Sequence, residues 1–156
     1  MMMNRIKQIT YLALTLVGVL SFSYSSAHSG ATGVVKQRMD AMSDMADAMK
    51  VMANVVKGKQ AYDAQLFVAK GNIIANHSAM LVDLFPVGSI QASSESTLLI
   101  WQQWDDFVSL ADSTKASADK MVLMAEEGTA LRPMIKQFVK LGGGCKACHK
   151  DYRKKK

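Results

Sequence analysis

Four long stretches of the chain place apolar residues every three or four positions, and nothing in it alternates with a period of two. Such a pattern restricts the chain to amphipathic helices packed on one another and leaves no sheet to build. The first stretch, VVKQRMDAMSDMADAMKVMANVV, runs from Val34 to Val56 without proline or internal glycine and carries Val35, Met39 or Met42, Met45, Met49, Met52 and Val56 on its apolar side. KGKQAYD breaks it. Leu66, Ile73 and Met80 then repeat at seven-residue steps, widened by Phe67, Ile74, Leu81 and Leu84, until Phe85-Pro86 stops the second helix. PVGSIQASSES, rich in turn and cap residues, reads as the longest internal loop. A third and longest helix is predicted from about Leu98 to Glu127, with Trp101, Trp104, Val108, Ala111, Ala118, Val122 and Ala125 in register. Thr129 stands where it can cap a fourth, whose stripe is Leu131, Ile135, Phe138, Gly142, Cys145, His149 and Tyr152; Pro133 falls near its first turn, where backbone N–H groups lack helical partners. Mostly short connections between four such helices predict an all-α, antiparallel up-down-up-down four-helix bundle.

The N-terminus has a different character. MMMNRIKQ carries Arg5 and Lys7 and no acid, Ile9 to Phe22 is largely apolar, and Ser25 and Ala27 occupy the small positions that a signal peptidase needs. Residues 1–27 are therefore expected to be a cleaved secretory signal peptide, and residues 28–156 the bundle domain. The apolar run falls short of the roughly 20 residues that span a bilayer, so no stable membrane anchor is expected after cleavage. Export implies the periplasm, an oxidising compartment. Arg5 and Lys7 leave with the leader, so the mature protein is mildly basic, and Arg153 to Lys156 supply much of that charge as a solvated tail. No aromatic residues interleave with basic ones, which excludes a nucleic-acid platform.

Only two cysteines are present, and both fall in CKACH, residues 145–149. In an exported protein the spacing C-x-x-C-H is the attachment signal for c-type haem. One helical turn brings both thiols to the same side, where they can form thioethers with the haem vinyl groups, and His149 follows as the proximal iron ligand. Other readings fit less well. A redox dithiol belongs beside a βαβ pattern, a zinc site needs four ligands where the remaining histidines are only His28 and His77, and a plain disulfide leaves His149 unexplained. Because Cys145 and His149 share the apolar stripe of the fourth helix, the motif is expected to face into the bundle.

Several further segments carry a family resemblance: CKACHKDYR at the C-terminus, R-x-x-x-M from Arg38 to Met42, VKGKQAYD after the first helix, LFPVGS after the second and IWQQWDDF opening the third. With them the protein resembles the class II c-type cytochromes, meaning cytochrome c′ and its low-spin, methionine-ligated relatives, over essentially all of the mature length. The resemblance implies one covalent haem c near one end of the bundle, with Cys145 and Cys148 as anchors and His149 as proximal ligand. It also implies that Arg153 lies beside the proximal face, that Arg38 lies near the haem edge and propionates, and that Met42 holds the distal position. Pairing of the first two helices across a two-fold axis, giving a homodimer, is a further implication.

Function divides at Met42. A thioether on the iron gives a six-coordinate, low-spin site suited to electron transfer between redox partner proteins. A thioether that only covers the iron leaves a face open to a diatomic gas, nitric oxide or carbon monoxide. His77 is a rival distal ligand, and the methionines of the first helix raise a Cu(I) site as a remote third reading, although adaptable core packing explains most of them. Trp101, Trp104 and Phe107 read as core aromatics, at least one of them against the haem. Asp105 and Asp106 are expected to face solvent, and no acid–base machinery marks an enzyme. Lys146, Lys150 and Lys154, near the haem motif, suit an acidic redox partner.

Overall fold

The computed structural model describes residues 30–155, and the predicted leader and His28 lie outside them. In chain order the elements are α1 (Gly33–Val56), α2 (Ala64–Met80), a 3-10 turn (Val82–Leu84), α3 (Leu99–Gln102), α4 (Trp104–Glu126) and α5 (Leu131–Tyr152). Helices α1, α2, α4 and α5 form the antiparallel up-down-up-down bundle. Each packs on the next, and α5 returns to α1 to close the ring. Contact is most extensive between α2 and α4 and sparsest between α1 and α5. Among the described residues no helix is long and apolar enough to cross a membrane.

Burial explains the packing order. In α1 the line Val35, Arg38, Ala41, Ala48, Met52 and Val55 is buried at three-, four- and seven-residue steps. Its small residues let neighbouring helices come close, while Met52 fills the centre. Gly71 of α2 serves the same end. A Cβ built there would lie 2.7 Å from Val122 Cγ2 on α4, so this pair of helices touches backbone to side chain. The larger core cluster, with Met52, Phe67, Ile74, Met121, Met134 and Leu141 at its heart, seals one end of the bundle. A second cluster of Leu81, Phe85, Ile100, Phe107, Ala111 and Tyr152 occupies the other end.

Four local expectations are corrected. On α2 the buried face is Phe67, Gly71, Ile74, Ala75 and Ser78, one position on from the predicted Leu66–Ile73–Met80 line, and Met80 is half exposed. The third helix is not continuous. The backbone leaves helical geometry at Gln103 (φ −128°, ψ 48°), splitting off the four-residue α3, and the side chain of Trp101 turns instead to donate from Nε1 to the Phe85 carbonyl at 3.0 Å. On α5 the buried residues are Met134, Gln137, Leu141 and Tyr152, so of the predicted stripe only Tyr152 is buried and the rest lies on the flank. Its N-cap is Ala130 rather than Thr129, whose carbonyl accepts a 2.8 Å bond from the Tyr62 hydroxyl.

The long loop between Phe85 and Leu98 is bound to the end of α5. Thr97 N donates to the Tyr152 carbonyl at 3.0 Å, Lys154 N to the Glu95 carbonyl at 2.7 Å, and Ser96 pairs with Arg153 in an isolated antiparallel bridge. The Thr97 bond satisfies one of the carbonyls that a helix C-terminus leaves without partners, and the Lys154 bond ties the tail after the helix to the loop.

Candidate cofactor site

Where α1 and α5 diverge, the bundle holds two adjoining cavities. One, of about 280 Å³, opens among residues that include Arg38, Met42, Phe107, His149 and Arg153. The other, of about 360 Å³, is lined by Met42, Met45, Met49 and Leu110 among others and reaches Cys145 and Cys148. Four residues line both: Met42 and Ala46 from α1, Cys148 and His149 from α5. The two cavities are thus neighbouring parts of one slot between these helices, with an imidazole and a thioether both on its walls. Their sizes bracket the lower end of the roughly 300–1,000 Å³ typical of cofactor pockets.

Helix α5 reaches this slot through a run of three glycines whose members differ in role. A Cβ on Gly144 would sit 2.8 Å from Thr114 Oγ1, so α5 lies against α4 directly beside the first thiol. Thr114 cannot easily turn aside, because its hydroxyl donates to the Leu110 carbonyl at 2.8 Å. Gly142 would make only an ordinary contact with Met49 Cε at 3.5 Å, and Gly143 faces open space.

The thiols of Cys145 and Cys148 are free and half-buried. Burial raises the pKa of both, and Cys148 is pushed up to about 11 with Cys145 and Asp151 adding to the effect. An attacking thiol of a redox dithiol has its pKa depressed, so this environment does not fit that chemistry. Among the described residues no three or more His, Cys, Asp or Glu side chains are arranged to hold an ion, so these residues offer zinc no structural site. His149 is exposed into the slot, yet desolvation by the surrounding protein lowers its pKa; the positive charge of Arg153 lowers it further, with Glu95 opposing. Its imidazole is therefore neutral at pH 7, the form a metal ligand requires.

Arg38 supplies a further test of fit. It is only 4% exposed, its guanidinium carbon lies 4.3 Å from the Phe85 ring centroid, Nε donates to the Leu84 carbonyl and Nη2 to Ser89 O at 3.1 Å and to Ser89 Oγ. Nη1 is buried with no hydrogen-bond partner. Burial lowers the arginine's pKa from its usual value, but a guanidinium stays charged in a protein. A buried, charged donor on the wall of an apolar cavity is costly unless something acidic completes it. Haem meets that need with a carboxylate, meets the thiols with vinyl groups and fills a flat apolar slot; the residues present fit it.

The remaining candidates are distributed as follows. Arg153 lines the slot and is tied to Glu95. Phe107 lines it too, packed edge-on against Phe85 at 4.9 Å and Tyr152 at 5.5 Å, while Trp101 and Trp104 do not reach it. His77 is outside both cavities, its Nε2 lying 3.1 Å from Asp44 Oδ2, which removes it as a distal ligand. The methionines of α1 do not converge: Met39 lines only the first cavity, Met45 and Met49 only the second, and Met52 is in the core. Sequence reading did not find Glu95, Ser89 or Thr114. Their only signal was membership of a polar loop or helix, without periodicity to mark them.

Comparison with known proteins agrees with this geometry. The family model described as Cytochrome C' matches residues 33–153. Cytochrome c-556 of Agrobacterium tumefaciens (strain II Chrys) is 34% identical, over 80% of this chain and 99% of the relative. The ferric cytochrome c prime of Alcaligenes xylosoxidans superposes with a TM-score of 0.72 at 31% identity, covering 79% of this chain and 94% of that one. A nitric oxide complex of a mutant of the same Alcaligenes protein superposes with a TM-score of 0.71 at 30% identity, covering 79% and 94%.

Proposed function

The protein belongs to the cytochrome c′ family and carries haem c covalently, and on that footing we propose that it passes single electrons between redox partners, with His149 and Met42 as the residues that would hold its iron. The observation that carries this reading is the sharing of Met42 and His149 by both cavities, one on each helix flanking the slot. When bound, haem c supplies a one-electron change at its iron, and methionine–histidine ligation raises the potential at which that change occurs.

The protein's own residues hold and tune the group. Cys145 and Cys148 would hold the group against α5 as thioethers, each S–H having added across a vinyl C=C bond. His149 offers a neutral imidazole, and Met42 a thioether from α1. Arg38 Nη1 would donate to an acidic substituent of the group, while its other nitrogens stay bound to the loop at Leu84 and Ser89. Phe107, Ile100 and Val35 keep water from that side, since all are at most 1% exposed. Arg153 adds positive charge beside His149, offset by Glu95. The reading includes export to the periplasm by a leader cut after Ala27, supported by the character of that leader.

One observation favours a second reading, binding of a diatomic gas. The cavity beside Met42 is apolar and lined by flexible Met45 and Met49, so a small ligand can be admitted if Met42 only covers the iron. Spectra of the purified holoprotein separate the two. The electron-carrier reading expects a low-spin wild type inert to carbon monoxide and a high-spin Met42→Ala variant that binds it. A wild type that is high-spin and takes up carbon monoxide rapidly when reduced overturns it in favour of gas binding.

A further inference from the structure

Charge is distributed unevenly along this molecule. From residue 130 to the C-terminus there are nine basic residues and a single acid, Asp151, whereas residues 28–129 hold eight basic and twelve acidic ones. The basic excess therefore belongs to α5 and its short tail, the same helix that carries Cys145, Cys148 and His149.

Helical register sorts that excess by face. Cys145 and Cys148 are half-buried on the inner side of α5, while Lys136, Lys140, Lys146 and Lys150 are exposed on its outer side. None of these four lysines forms an ion pair among the described residues, although exposed Lys36 and Lys115 elsewhere each have an aspartate one turn away. Between the lysines lie exposed Val139, 64% accessible, and exposed Gly143 and Ala147. Gly143 meets no atom within 4 Å of where a Cβ would stand, so packing gives no reason for it. The outer face of α5 is thus a low apolar centre in a rim of unpaired cations, and protein interfaces are built on the same plan of apolar core and polar rim.

We infer that this outer face of α5 is the docking surface for the acidic face of a redox partner protein. The inference rests on the electron-carrier reading. An acidic surface is what complements four unpaired lysines, and the field of the whole C-terminal segment would orient such a partner before contact. Docked there, the partner is separated from the attachment thiols by one helix, about 10–12 Å across with its side chains and less where Gly143 supplies none. An anionic membrane is the less favoured occupant. Surface-bound helices insert large apolar and aromatic side chains, and this face offers only Val139 and Ala147.

Voltammetry of the holoprotein on gold tests the inference, with adsorbed protein measured separately by microbalance. The probes are a carboxylate-terminated monolayer, standing for the acidic protein face, and an amine-terminated one. The wild type is expected to exchange electrons quickly only with the carboxylate surface, and to slow as salt is raised. Lys136→Glu with Lys140→Glu should slow the exchange by about tenfold, and Lys146→Gln with Lys150→Gln should act in the same direction. Lys59→Glu with Lys70→Glu, on the α1–α2 connection and on α2, makes the same change in net charge and should leave the rate unaltered. Equal rates for wild type and both α5 variants would overturn the docking surface. So would co-sedimentation of the wild type with phosphatidylglycerol vesicles at physiological ionic strength, abolished by the α5 substitutions. A wild type that adsorbs on the carboxylate layer and passes no electrons would instead overturn the electron-carrier reading on which the inference rests.

Discussion

Arg153 and Glu95 are joined by two hydrogen bonds that converge on one oxygen, Nε at 2.8 Å and Nη2 at 2.5 Å from Oε2. Both side chains are about two-fifths exposed, so the pair itself contributes little to stability, under about 1 kcal/mol. Its importance is positional, because it holds a guanidinium beside His149 with a carboxylate that offsets part of its charge there. Glu95→Gln is expected to leave thermal stability nearly unchanged and to raise the reduction potential, since uncompensated positive charge near the iron disfavours its oxidised state. Arg153→Gln should lower it. Redox titration of the two variants checks the opposite signs.

Gly143 and Gly144 are adjacent and should respond oppositely to alanine. At exposed Gly143, where a Cβ meets nothing, the gain in helix propensity should stabilise the protein by about 1 kcal/mol. At Gly144 a Cβ presses on Thr114 Oγ1 at 2.8 Å, and overpacking there should cost about 1–3 kcal/mol. The same strain displaces Cys145, so Gly144→Ala should also lower the yield of haem-loaded protein. Urea unfolding and the absorbance ratio of haem to protein measure both effects.

Arg38 anchors the loop after α2 through Leu84 and Ser89 while its third nitrogen is unpartnered. Arg38→Gln leaves those loop acceptors short of donors and should destabilise the haem-free protein by about 1–3 kcal/mol. In the haem-loaded protein the loss should be larger, because there Nη1 also has its acidic partner. Equal losses in the two forms would remove Arg38 from contact with the cofactor.

Raising the pH should weaken the fold through two tyrosines. Tyr62 and Tyr152 both have pKa values raised above 10, mainly by desolvation, with Asp63 adding at Tyr62 and Asp106, Cys148 and Asp151 at Tyr152. A folded pKa above the unfolded one means the fold favours the neutral phenol. That contribution is fully present below about pH 10 and is lost as pH climbs through the folded values. Tyr62→Phe removes one titrating group together with its bond to the Thr129 carbonyl, so this variant should be less stable at neutral pH and lose less on alkalinisation. Denaturant midpoints followed by far-ultraviolet circular dichroism across that range give the comparison.

Particular residues show which parts of the molecule are legible in its sequence. Helix boundaries follow from periodicity, so the Val34–Val56 stretch matches α1 within one residue. The C-x-x-C-H spacing and R-x-x-x-M motif name side chains that do meet at one slot. Register is harder. On α2, Leu66 and Phe67 are both large and apolar, and only the close approach of Val122 to Gly71 decides which faces the core. The break at Gln103 and the pairing of Arg153 with Glu95 arise from contacts distant in sequence, for which local composition carries no signal.

The two ends of the bundle differ in how they meet the slot. The end built on Met52, Phe67, Met121 and Leu141 keeps these four side chains out of the slot walls and meets the slot through Ile74, Met45 and Met49, which line the second cavity. Contact between α1 and α5 is the sparsest in the ring, and the slot lies between these two helices. The seam between α1 and α5 is therefore the wall of the slot that the least helix packing holds closed, while α2 and α4 are held together most firmly.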